Sequence, residues 1–120
     1  MSIEATFGEL KTAEKSLATI AELDLPYEES ILVVRMVKKV SVELALLEEQ
    51  RIKFVKELGV EKDGNVLVPE ERVGEFQDRF GKSLQAKITL DCSPLTRKTF
   101  GATSVKPRDL LMLGPLLVED

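Results

Sequence analysis

The chain has 120 residues, 43% hydrophobic and 32% charged, with a formal net charge of −4, one cysteine and no histidine. That is the size and composition of a single soluble, helix-rich domain (1–120) with room for a core. One cysteine makes no intramolecular disulfide. Without histidine, neither a Ser-His or Cys-His nucleophile pair nor a zinc site of the usual kinds can be built, which leaves carboxylates alone as ligands for magnesium or calcium.

No apolar run reaches the roughly 18 residues that a membrane span needs. Met1 leads into a polar segment rather than a basic and then apolar leader. A cytoplasmic, non-enzymatic protein with no cofactor and no bound metal is therefore expected. Charge is unevenly placed: residues 1–81 carry 11 Lys+Arg against 17 Asp+Glu, residues 82–120 carry 6 against 4, and Lys82 to Arg108 holds 6 basic residues to 1 acidic.

In chain order, Phe7 to Leu23 predicts a first helix, with Leu10, Ala13, Leu17 and Ile20 on one face. Asp24-Leu25-Pro26 ends it, and Pro26 with Glu28 and Glu29 opens the next helix. Tyr27 to Leu58 then runs without a glycine or proline. Val33, Val37, Val40, Leu44, Leu47, Phe54 and Leu58 form a near-heptad stripe, interrupted where Arg51 takes a stripe position. Such a helix is about 48 Å long at 1.5 Å per residue, about twice the first. The two are expected to form a helical hairpin (1–58) whose far half needs other cover.

Gly59 reads as the C′ residue of the long helix. Val60 to Val68 reads as a small hairpin turning at Asp63-Gly64. Pro69-Glu70-Glu71 opens a third helix with Val73, Phe76, Phe80 and Leu84 on its apolar face, the natural cover for the far end of the long helix. Lys87 to Asp91 alternates as a strand. Cys92 to Thr103 reads as a loop anchored by Leu95 and Phe100, Thr103-Ser104-Val105 as a short returning strand, and Arg108 to Leu113 as a brief helix ended by Gly114-Pro115. Leu116 to Val118 is expected to tuck against the body. The fold class is thus mainly α with a small β part (α+β).

Two sets of candidate residues follow. The long-helix stripe (Val33, Val37, Val40, Leu44, Leu47, Arg51, Phe54) suits a homo-oligomer interface, because a second partial stripe (Ile31, Val34, Ala45, Ile52, Val55) puts apolar residues on more than one face. The competing reading is that the other helices of the chain cover it, with Arg51 snorkelling to water. The second set is the basic loop, with Arg97, Lys98, Thr99, Thr103, Lys106 and Arg108. Cations mixed with hydroxyls complement phosphate oxygens, although the spacing matches no nucleotide fingerprint and a solvated loop would look the same. The acidic total and few aromatics argue against duplex nucleic acid. Glu43, Glu48 and Glu49 read as a solvated face, and Cys92 as a small buried hydrophobe.

The hairpin layout, the Asp-Gly-Asn turn into Val-Leu-Val-Pro-Glu-Glu, the helix with two phenylalanines and the closing Val-Lys-Pro-Arg-Asp-Leu-Leu-Met-Leu-Gly-Pro-Leu-Leu run resemble small accessory proteins encoded by tailed bacteriophages. That resemblance spans roughly residues 27–118 and carries no catalytic residues. It implies a non-enzymatic protein of the host cytoplasm that binds a host or virion protein. The basic loop gives the alternative, a protein that sequesters a nucleotide-like phosphorylated small molecule.

Overall fold

The computed structural model describes residues 2–101 and 103–118. Its long axis is set by one helix, α2 (Tyr27–Leu58), which occupies the span the sequence predicts. The molecule measures 52 × 27 × 22 Å with a radius of gyration of 17.2 Å. A compact chain of this length would have a radius of about 14 Å, so α2 stretches the protein well beyond a sphere. The fold is α+β, 66% helical with two short strand pairs.

The chain begins with a strand that the sequence reading did not assign, β1 (Ile3–Thr6). Its period-two pattern is short but plain, with Ile3 and Ala5 buried and Glu4 exposed. β1 pairs antiparallel with β4 (Lys87–Leu90), setting Ile3 opposite Leu90 and Ala5 opposite Ile88. Thr6 then starts α1 (Phe7–Ala21) through a capping box. The Glu9 N–H donates to Thr6 Oγ1 at 3.1 Å, and the Thr6 N–H donates to Glu9 Oε1 at 2.9 Å. Two of the helix's otherwise unpaired N-terminal donors region are satisfied in this way.

α1 folds back along the first part of α2, as a helical hairpin requires. Leu10, Ala13, Leu17 and Ile20 of α1 meet Val33, Met36 and Val40 of α2 in one buried cluster. Ile3, Ala5 and Leu90 of the strand pair join it, as do Leu95, Phe100, Leu113 and Leu116 from the C-terminal segment. Leu95 and Phe100 are thus the anchors the sequence suggested. Leu116 to Val118 are tied down by the backbone as well: the Leu95 N–H donates to the Leu116 carbonyl at 2.8 Å, and the Val118 N–H to the Leu95 carbonyl at 2.9 Å.

The far half of α2 is covered differently. Past Leu47 the chain forms an arm of two layers, α2 against α3 (Val73–Gln85), joined by a hairpin of β2 (Val60–Lys62) and β3 (Asn65–Leu67). The Asp63-Gly64 turn has φ of 52° and 81°, the left-handed pair that a two-residue hairpin of this hand requires. An Arg79–Glu57 ion pair of 2.9 Å links α3 to α2. The Phe76 and Phe80 rings stack at 5.8 Å. Even so, Val73, Phe76, Phe80 and Leu84 are only half-buried, and no residue of α3 is fully buried.

Three local expectations need correction. Gly59 closes α2 but not in a left-handed conformation; its φ of −86° and ψ of 166° are extended. It is glycine because of close approach, since a Cβ there would press on the Val55 carbonyl oxygen and lie 2.7 Å from Val66 Cγ1. Thr103 to Val105 form no strand: the Thr103 N–H turns back to the Phe100 carbonyl at 2.9 Å, so no ladder starts there. The loop itself contains a single helical turn, α4 (Arg97–Phe100), before α5 (Pro107–Met112).

Candidate functional site

The seven stripe residues on α2 are used within the chain. Val33, Val40 and Leu47 are buried, and Val37 and Leu44 pack against the core from its edge. Phe54 is half-buried. Arg51 turns to its own helix, where its guanidinium grips both Glu48 oxygens at 2.6–3.1 Å. That contact draws the Glu48 carboxyl below its ordinary range, chiefly through the hydrogen bond from Arg51. As a surface for a second copy this stripe is already occupied by α1 and α3. Exposed apolar side chains lie along α2 (Val42, Leu46, Ile52) and on the hairpin (Val60, Val66, Leu67), and also at Tyr27, Leu32, Val34, Leu111, Met112 and Val118.

The basic loop is split by the fold. Arg97 and Lys98 point outward from α4. Thr99 is buried, and its hydroxyl accepts the Thr96 N–H at 3.1 Å, so it serves the helix cap rather than a ligand. Thr103 is half-buried after α4. Lys106 and Arg108 instead join Lys15, Thr12 and Thr19 around a cavity of about 290 Å3 between α5 and α1. Arg97, Lys98, Thr99 and Thr103 do not line that cavity. Beneath it, the Ser16 hydroxyl donates to the buried Asp109 carboxylate at 3.1 Å, a contact that fixes α5 on α1. Of the six residues, Lys106 and Arg108 alone line this cavity.

A different cationic pocket was missed by the sequence reading. Arg35, Lys38 and Lys39 on α2 face Asp91, Cys92 and Ser93 at the end of β4, around a cavity of about 360 Å3 with Leu32 on its wall. Three cations meet one carboxylate. Among the described residues none of the three takes part in an ion pair. Cys92 is half-buried, packed against the edge of the core rather than enclosed in it. Burial raises its thiol pKa, Lys39 pulls it back and Asp91 adds to the rise. The signal was present in the sequence: Arg35-x-x-Lys38-Lys39 is a local run of positive charge inside the acidic part of the chain.

A groove of about 720 Å3 lies between the start of α1, the end of α3 and Leu111 to Pro115. It is largely apolar, and its one ionisable wall residue, Glu9, is committed to the Thr6 N–H. Among the described residues no three of Cys, Asp and Glu come together as a metal cluster, and no helix is long and apolar enough to cross a membrane. Compared with protein-family models, with curated proteins and with solved structures, the chain matches none.

Proposed function

We propose that this is a non-enzymatic interaction protein that works as a homo-oligomer, joined through its distal arm. One observation carries the reading: α3 presents four apolar side chains, yet none of its residues is fully buried, and the adjoining hairpin leaves Val60, Val66 and Leu67 between 42% and 55% exposed. A half-covered two-layer arm is the shape of an interface rather than of a finished core, because apolar side chains grouped on one surface gain by leaving water together. Val42, Leu46 and Ile52 extend the same apolar character along the outer side of α2. The lack of histidine in the sequence supports a binding role over a catalytic one. The likeness to phage accessory proteins supports a host or virion protein as the eventual target, met by the core end that self-association leaves open.

Light scattering of the purified chain tests this. The expected mass is a whole multiple of the 13.4 kDa protomer, falling to one protomer in a Leu46→Glu, Leu67→Glu double variant that keeps its helical spectrum. A parent protein that runs as a monomer at high micromolar concentration, or a double variant that keeps the parent's mass, would sink the proposal.

A further inference from the structure

Away from the arm, we infer that the pocket between α2 and the end of β4 binds a small phosphorylated anion, gripped by Arg35, Lys38 and Lys39. Elsewhere Arg51 pairs with Glu48, Arg72 with Glu75, and Arg79 with both Glu57 and Glu75. Arg35 and its two lysine neighbours have no such partner among the described residues. Their spacings of three and four along one helix set like charges side by side, a mildly repulsive arrangement that a bound anion relieves.

The chemistry of the wall narrows the ligand. Three cations against the single carboxylate of Asp91 leave two positive charges in the pocket, which favours the multiple negative charge of a phosphate monoester dianion or a diphosphate over the single charge of one carboxylate. The Arg35 fork suits two phosphate oxygens at once, and each lysine adds a mobile point charge. A volume of about 360 Å3 lies near the lower end of the roughly 300–1,000 Å3 seen in small-molecule sites, which admits a phosphate with a compact organic group and no polymer. Leu32 and Cys92 offer that group an apolar contact. A phosphate backbone of duplex nucleic acid fits less well, because Glu28 and Glu29 on one side and Glu43 on the other end the positive stretch within a few residues.

Cys92 makes the test direct, because it is the chain's one cysteine and stands in the pocket wall. Its alkylation by iodoacetamide, at alkaline pH where the thiolate forms, is followed with and without pyrophosphate, against sodium chloride at matched ionic strength. Pyrophosphate at ten times its dissociation constant should slow the reaction about tenfold, since protection follows occupancy. The ratio with and without probe is compared within each variant, because changing Lys39 also alters the thiol itself. Lys38→Glu with Lys39→Glu should abolish protection, Lys38→Gln with Lys39→Gln should weaken it, and Arg97→Glu with Lys98→Glu on the outer loop should leave it intact. All four positions are exposed, so folding should survive. Absence of protection by pyrophosphate, protection that persists in the Lys38→Glu, Lys39→Glu variant, or protection by a single-stranded oligonucleotide but not by pyrophosphate would each overturn the assignment. Because this measurement reads the pocket and the solution mass reads the arm, either inference can fail without the other.

Discussion

Replacing Gly59 by alanine pits two effects of opposite sign against each other. The backbone there, φ −86° and ψ 166°, is open to any residue, so the substitution should gain about 0.4–1 kcal/mol by restricting the unfolded chain. Against this, the new Cβ would press on the Val55 carbonyl oxygen, lie 2.7 Å from Val66 Cγ1 and 3.1 Å from the Leu67 carbonyl oxygen. Neither neighbour yields cheaply. Val55 belongs to the last turn of α2, where its carbonyl accepts the Gly59 N–H at 2.7 Å, and valine is stiff at χ1. Overpacking of this kind costs about 1–3 kcal/mol, so the clash should win by about 0.5–2 kcal/mol. With a urea m value of about 1–3 kcal/mol/M, the midpoint of unfolding should fall by about 0.2–2 M. Gly74 and Gly81 in α3 are the controls, because a Cβ at either meets nothing within 4 Å. Alanine there should stabilise by about 0.5–1 kcal/mol through helix propensity alone. Urea titrations followed by far-ultraviolet circular dichroism decide it. A Gly59→Ala midpoint at or above the parent's would mean that the hairpin does not sit against the end of α2. A lower midpoint for Gly74→Ala would place α3 in contacts that this structure does not contain.

The two sides of α2 should respond very unequally to charge. Val40 is 2% exposed, so Val40→Asp buries an unpaired carboxylate and should cost several of the roughly 5–15 kcal/mol that hold a domain together; Val34 is 42% exposed, and Val34→Asp should cost under about 1 kcal/mol. Equal melting temperatures for the two variants would mean that the stripe faces water. The Glu48–Arg51 contact has a definite pH sign. A carboxyl whose folded pKa is depressed contributes stability above its unfolded pKa and loses it as pH falls through the folded pKa, so the Glu48 carboxyl resonance should titrate below the ordinary glutamate value. Titration at or above the ordinary value would show that the pair does not persist in solution, where an exposed ion pair is weak to begin with.

How far the sequence could be read depends on the range over which each signal acts. The bounds of α2 were legible because every cause is local: Pro26 before it, acids in its first turn, Gly59 after it, and an unbroken 32-residue helical pattern between. The hairpin was legible for the same reason, since Asp63-Gly64 is sufficient by itself to specify the turn. β1 was not, because four residues at the start of a chain form a strand only when a distant partner pairs with them, and that partner, β4, lies more than eighty positions away. The start of α1 at Phe7, by contrast, was legible, and the local Thr6-to-Glu9 capping box is the physical reason the helix begins there. The candidate sites divide in the same way. Arg97, Lys98, Lys106 and Arg108 are neighbours in sequence, but the helical turn of α4 sends the first two outward while α5 carries the other two towards Lys15. Arg35, Lys38 and Lys39 looked like an ordinary charged face of α2, and nothing local distinguishes such a face from a pocket wall. What makes them a pocket is the arrival of Asp91 to Ser93, placed there by the pairing of β4 with β1. The same long-range pairing that hid the first strand from the sequence therefore also builds the cationic pocket, and disrupting β1 should loosen the pocket without touching any residue that lines it.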